Sequence, residues 1–327
     1  MCSSDLVPLV ELLEEGDTTE EVDLGVGHGA AMVAEGSDSS GVSVRIEVAH
    51  DIASCAATVP IQEEIWSGDV VVPPQLMLAA AHNGGLVALA YADGDERAAG
   101  FVFGFLGIYD YHFRHHSHML AVRAPHRRSG IAVKLKEAQR DHCLDQGIDT
   151  VAWTMDPLEA RNARFNFARL GAFARTYHRD FYGAMPDKLN EGLPSDRLYI
   201  EWRIATDRAD TRLRGAEGVG PLEDAERDGV RYILRPDGDR PGGIDAAGAD
   251  SHLLVAVPAD IQSIKGRDRG LALEWRMAIR SALEPAFSAG YAAVELLYSR
   301  DGARAAYVLV KQPEHPAGPP SDEQVTS

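Results

Sequence analysis

The stretch from Leu86 to Arg140 narrows the folds open to this chain more than any other. Three apolar runs, "LVALAYAD", "AAGFVFGFLGIYD" and "HSHMLAVR", follow one another with short polar breaks, and the third runs straight into "APHRRSGIAVKLKEAQR". Runs this short and this rich in Val, Phe, Leu and Tyr read as neighbouring strands, the first two as an antiparallel hairpin around "GDE". The basic stretch opens a helix over 129–145, with Ile131, Leu135, Ala138 and Cys143 near one face and Gly147 as its stop. A strand that enters a helix through a charged, glycine-bearing turn demands helices packed on a sheet, with free backbone N–H groups at the helix start.

The flanking sequence extends the same plan. "VSVRIEVA" alternates like a half-buried strand, "IASCAATVPIQEEIW" reads as a helix interrupted near Pro60, and "PPQLMLAAAHNGG" as a helix from its prolines to its glycines. Downstream, "DTVAWTMD", "AFARTYHRDFYG" and "RLYIEWRI" read as strands, and "EARNARFNFARLG" as a helix stopped at Gly171. The expected class is α/β of mixed α+β type, with a central, mixed, mostly antiparallel sheet flanked by helices over residues 41–205. Residues 206–250 are the most linker-like interior segment. Residues 251–312 offer a strand, a long helix and a hairpin around "RDG", making a small C-terminal α+β unit or an addition to the first sheet. The tail 313–327, polar and Pro-rich, is expected to be disordered, and no internal repeat is evident.

Composition sets outer limits. With 50 acidic and 32 basic residues the net charge is −18, which argues against nucleic-acid binding. Residues 1–40 hold ten acids and no Lys or Arg, the composition of a disordered acidic arm, and either Met1 or Met32 could serve as the start. No apolar run is long enough to span a membrane, and the opening residues lack a secretory pattern. Cys2, Cys55 and Cys143 are too few and too scattered for a disulfide framework or zinc site, so a cytoplasmic protein is expected.

Within so acidic a chain, Arg123, Arg127, Arg128, Lys134, Lys136 and Arg140 gather around Gly130. A helix start with small residues and surplus positive charge suits an anion, and a diphosphate-bearing ligand fits best. Neither a Gly-x-x-x-x-Gly-Lys loop nor a Gly-x-Gly-x-x-Gly loop is present. The pattern Arg127-x-x-Gly130-x-Ala132, after a strand and before a helix, instead resembles the coenzyme A loop of the GNAT acetyltransferase superfamily. The order of elements over residues 42–204 follows that superfamily. "LKEAQRDHCLDQGIDTVAWTMDPLEARNARFNFARLGA", "YGAMPDKLNEGLPSDRLYIEW" and "EWRMAIRSAL" further resemble a bacterial branch of it that carries a C-terminal extension.

The resemblance implies acetyl-CoA, or another acyl-CoA, as co-substrate, with no metal. It implies pyrophosphate contact from Arg127, Arg128, Ser129, Gly130, Ile131 and Ala132, and backbone pairing of the pantetheine arm with Leu120 and Val122. Asn162 would lie on the coenzyme side. His118, where the superfamily often has a glutamate, is the candidate base; strand alternation would group it with His116 and Leu120, opposite Ser117 and Met119. Phe167 stands where the superfamily's proton-donating tyrosine is expected. Tyr177 or Tyr182, or water, would then protonate the thiolate, unless it leaves unassisted; simple packing is the plain alternative for both tyrosines. The connection holding Asp187, Asn190, Ser195, Asp196 and Arg197 commonly borders the acceptor pocket in this fold, or is merely an internally bonded loop. Histidines 112, 115, 116 and 118 lack the accompanying carboxylates or thiols of a metal site. The expected function is acyl transfer to the amine of a small metabolite, and a homodimer is compatible with the sequence. The rival is a GNAT-like coenzyme A binding module without catalysis.

Overall fold

The computed structural model describes residues 34–37, 43–66, 71–183, 192–215 and 220–311. Expectations for the arm before residue 34, for the tail after residue 311, and for Asp187 and Asn190 fall outside them. The chain begins with strands β1 (Ala34–Ser37) and β2 (Ser43–Val48), then helices α1 (Ile52–Ala56), α2 (Val59–Trp66) and α3 (Pro74–His82). Strands β3 (Leu86–Ala92), β4 (Gly100–Tyr109) and β5 (His112–Val122) lead to α4 (Ile131–Asp145). Next come β6 (Thr150–Met155), α5 (Ala160–Arg164) with a π-helical turn over Phe165–Arg169, β7 (Phe173–His178) and β8 (Arg197–Arg203). The remainder is α6 (Asp207–Leu213), α7 (Leu222–Arg227), β9 (Arg231–Asp237), β10 (Arg240–Ile244), β11 (His252–Pro258), α8 (Ile261–Arg267), α9 (Arg269–Ser288), β12 (Tyr291–Tyr298) and β13 (Arg304–Lys311).

Among the described residues all the strands join one sheet, ordered β1-β2-β3-β4-β5-β6-β8-β7-β12-β13-β11-β9-β10. From β1 to β5 every neighbour is antiparallel; β5 and β6 run parallel, as do β9 and β11. Local chemistry explains the helix ends. Asp51 caps α1 by accepting from the Ser54 N–H at 2.7 Å, and Pro60 lies in the first turn of α2, where its missing N–H costs nothing.

Two layers cover the first half of the sheet. On one face Ile131 and Leu135 of α4 pack on Val44, Ile46, Leu86, Ala88 and Val102. On the other, Cys55, Ile61 and Met77 of α1–α3 pack on Val87, Phe101, Phe103 and Met119. A bulge between Phe103 and Gly104 leaves His118 with no partner residue on β4 and resets the alternation. Ser117 therefore shares the α4 face with Leu120, while His116, His118 and Met119 turn to the face of Phe103 and Phe105. This corrects the simple alternation expected of the strand. Gly104 is required beside the bulge, since a Cβ there would run into the His115 ring and lie 2.7 Å from the His116 carbonyl.

Two further readings are corrected. Residues 34–37, assigned to the disordered arm, form β1 by backbone pairing with β2, an interaction that depends little on side-chain composition. Residues 206–250, read as a linker, build α6, α7, β9 and β10. Gly215, Gly229, Gly238 and Gly248, all at positive φ, mark the turns beside these short elements.

The C-terminal elements extend the first sheet. β12 meets β7 at one register pair, Ala293 with Ala174, and α9 reaches back over the junction. Arg276 of α9, 1% exposed, grips Asp156 through two hydrogen bonds of 2.9 and 2.6 Å. Arg280 holds Asp196 at 2.9 and 2.7 Å, and the Tyr307 hydroxyl donates to the Pro157 carbonyl at 2.6 Å.

Candidate active site

The site begins with a fork in the sheet. β5 and β6 share two residue pairs, His115 with Val151 and His116 with Ala152, after which no pairing joins them. β5 runs on to Val122 and β6 to Met155, so a gap opens from Ser117 and Trp153 outward. Leu120 and Val122 pair with Val102 and Gly100 of β4, and their side toward β6 has no ladder partner among the described residues. An extended ligand arm could complete that ladder.

The open end of the fork points to the basic turn. Arg128 and Gly130 have φ of 70° and 81°, a left-handed backbone that Gly130 adopts without strain. α4 starts at Ile131, and its first N–H groups, those of Ile131 and Ala132, have no intrahelical acceptor. The Ser129 hydroxyl donates to the His126 carbonyl at 2.6 Å and holds the turn. Arg127 and Arg128 are exposed, the former with Nε on the Val122 carbonyl at 3.3 Å. The other basic residues are engaged elsewhere: Arg123 with Glu64 at 2.6 Å, Lys134 with Glu137 at 2.8 Å and Arg140 with Asp210 at 2.5 Å. The charge available to an anion thus comes from two arginines and the helix start, fewer groups than the sequence suggested. These groups suit a pyrophosphate, and the fork suits an extended arm.

On the face away from α4, His116 and His118 stand with their ring centres 6.0 Å apart. Phe105 lies 5.0 Å from His116 and 5.8 Å from His118. His118 remains open to solvent, and burial against the neighbouring rings draws its pKa below the ordinary 6.5. His116 is pushed to about 4, first by burial and then by the charges of His118 and Lys136. Both rings are therefore neutral at physiological pH and able to accept a proton, His118 more readily. Among the described residues no three His, Cys, Asp or Glu side chains converge as a metal site.

The two tyrosines separate. The Tyr182 hydroxyl hydrogen-bonds Thr154 Oγ1 of β6 at 2.9 Å, beside the fork. Tyr177 instead donates to Asp196 at 2.6 Å, and burial together with that carboxylate raises its pKa far above the ordinary value. Its hydroxyl belongs to the network under α9. Ser195 and Asp196 are buried; Ser195 bonds within its own loop, whereas Asp196 also accepts from Tyr177 and from Arg280 of α9. Ser195 Oγ accepts from the Tyr182 N–H at 3.0 Å and donates to Asp180 at 3.2 Å, while Asp196 accepts from the Asp180 N–H at 3.0 Å. Arg197 donates to the Asp196 carbonyl at 2.9 Å and lies under the Tyr182 ring at 5.3 Å. These three side chains help to fasten the turn that presents Tyr182. Asn162 is exposed at the first turn of α5, with its Oδ1 3.4 Å from Asn166 Nδ2. Phe167 is fully buried, edge-on to Tyr307 at 5.9 Å.

Sequence reading counted Lys136 in the basic cluster and gave Gln139 and Ser117 no role, whereas Lys136 and Gln139 are buried beneath the fork beside Ser117. The signal was present, since Ala132, Lys136 and Gln139 share a helical stripe beside the apolar one.

Residues 56–172 match the Acetyltransferase (GNAT) family. No curated protein matches the chain. Among solved structures, the ribosomal-protein-S18-alanine N-acetyltransferase of Escherichia coli is 15% identical, with 50% of this chain and 95% of that one covered at a TM-score of 0.40. Salmonella typhimurium yncA, solved with acetyl-CoA, is 19% identical, with 54% and 97% covered at 0.37. An aminoglycoside acetyltransferase from an uncultured soil metagenomic sample is 17% identical, with 37% and 84% covered at 0.33. These likenesses are low, and the assignment rests on the family match: residues 56–172 of this chain form an acetyltransferase domain of the GNAT family.

Proposed function

We propose that this chain transfers an acetyl group from acetyl-CoA to the amine of a small molecule. The observation that carries the reading is the fork between β5 and β6, which opens toward the left-handed turn at Arg128–Gly130. In this reading the turn from Arg127 to Ala132 holds the pyrophosphate, and Leu120 and Val122 pair with the pantetheine arm. The thioester then lies near Ser117 and His118. Holding it there makes amine attack effectively intramolecular.

The acceptor would enter on the face of His116 and His118, across a floor formed by Phe105, Tyr182 and Tyr199. On that face Tyr199 stacks on Tyr109 at 5.9 Å and Glu201 pairs with Arg175 at 2.9 Å, aromatic and acidic groups that an amine can meet. His118 receives the amine proton, directly or through a water. Tyr182 borders the acceptor rather than the coenzyme's sulfur.

Release of free thiol from acetyl-CoA across a panel of small amines tests the activity. His118→Gln should lower kcat/KM by about 10² or more while leaving coenzyme affinity unchanged. Because the base must be neutral, the wild-type rate should rise with pH through a value below 6.5 and then level, and that limb should flatten in the variant. Tight coenzyme binding with no thiol release from any amine would favour the non-catalytic binding module, the reading that the Phe167 replacement supports.

A further inference from the structure

Lys136 reaches from α4 to the floor of the fork. Its side chain is 2% exposed, and Nζ donates to Ser117 Oγ at 3.1 Å and to Gln139 Oε1 at 2.7 Å. The ammonium lies 4.0 Å from the Trp153 ring centre and 5.3 Å from that of Trp202. Ser117 and Trp153 are the first residues of β5 and β6 beyond their last shared pair, so this cation sits where the strands part.

Packing alone does not call for a lysine here. Burying an ammonium is costly unless it is paired, and among the described residues no carboxylate pairs with Lys136. The titratable groups around it are the Cys143 thiol, pushed up to about 12, and His115, held near 3; burial also lowers His142. His116, across the strand, also feels its charge. Because Ser117 Oγ accepts from Lys136, its own proton is free to point elsewhere, and it has no acceptor among the described residues. Ser117 is 7% exposed, close to but not sealed from the fork.

We propose that Ser117 protonates the departing thiolate of coenzyme A, with Lys136 as the positioning residue that supplies its proton. The proposal rests on the acetyl-transfer reading above. It places the two proton transfers on opposite faces of the sheet. His118 takes the amine proton on one face, and Ser117 gives a proton on the α4 face. As the carbon–sulfur bond breaks, the Ser117 O–H bond breaks and an S–H bond forms. Lys136 then loses one N–H proton to Oγ, and the neutral amine regains a proton from water after product release. Burial draws the Lys136 ammonium down to about 7, so near neutrality it both holds and yields a proton. Phe167, buried against Tyr307, leaves this role open at the position where a tyrosine was expected.

The test titrates the thiol of bound coenzyme A by its ultraviolet thiolate absorbance, which requires no acceptor. In the wild-type protein the bound thiol should ionise at least about one pH unit below the free coenzyme, because the donor favours the charged form. Ser117→Ala and Lys136→Met should each return it toward the free value, and Ser117→Thr, which keeps the hydroxyl, should retain the shift. A purely structural lysine would leave this titration unmoved. A wild-type thiol that ionises like the free coenzyme, or a shift unchanged in Ser117→Ala, overturns the proposal. Should Lys136→Met not fold, Ser117→Ala and Ser117→Thr decide alone. Failure of the wild-type protein to bind coenzyme A overturns the acetyl-transfer reading and this proposal with it, whereas binding without a shift overturns the proposal alone.

Discussion

Breaking the Asp156–Arg276 pair should expose how strongly α9 is tied to the first half of the sheet. Asp156→Ala would leave the Arg276 guanidinium, 1% exposed, without its bidentate partner. Removing one member of such a buried pair costs about 3–5 kcal/mol, because the charge left behind has lost its water as well as its partner. The reverse change is gentler. With Arg276→Met, Asp156 keeps 15% exposure and Arg197 at 3.8 Å, and the methionine fills much of the arginine's volume. The double variant should therefore resemble Arg276→Met rather than the sum of the two. At about 2–4 °C per kcal/mol, Asp156→Ala should melt about 6–20 °C below wild type. Thermal and urea unfolding of the four proteins would measure the coupling. A loss under about 1 kcal/mol for Asp156→Ala, or additive single changes, would refute the view that this pair is desolvated and mutually dependent.

Two further outcomes follow from the site. Gly130→Asp puts a side chain and a negative charge at a left-handed position beside Arg127 and Arg128, so a folded variant should lose most coenzyme A affinity by calorimetry; wild-type affinity would displace the site. His115 is fully buried, both ring nitrogens lack partners among the described residues, and its pKa falls to about 3 from an ordinary 6.5. Its unfolded form binds the proton more readily, so its contribution to stability is present above pH 6.5 and is lost as pH falls from 6.5 toward 3. His115→Leu should reduce the acid sensitivity of the melting temperature, and an unchanged pH dependence would contradict this account.

What could be read from sequence followed from physical period. The strands flanking "GDE", the helix starting after Gly130 and the stops at Gly147 and Gly171 all have local signals, and each element is present. The bulge at His118 has no such signal, because it depends on how β4 and β5 align, and it moved Ser117 to the face opposite the one expected from alternation. The basic cluster was legible as a cluster. Which arginines remain available was not, since Glu64 and Asp210 come from distant segments. Asp196 illustrates the same limit: a polar loop residue near a pocket looks like a substrate contact until Arg280, 84 positions away, is seen to hold it.

β5-β6-β8-β7 and β9-β11-β13-β12 share a single plan: in each, the first two strands are parallel, and the two that follow are each antiparallel to their neighbour. The two sets meet antiparallel at β7 and β12, as a quasi-two-fold axis at that seam would place them. The symmetry fails at one step. In the first set a helix, α4, links the parallel strands, whereas in the second the hairpin strand β10 occupies that link. Among the described residues no helix starts behind β9, so the second set lacks the strand-to-helix turn that follows β5. The sheet is therefore doubled in strand plan but not in its links, and the second set covers the edge that β7 would otherwise leave bare.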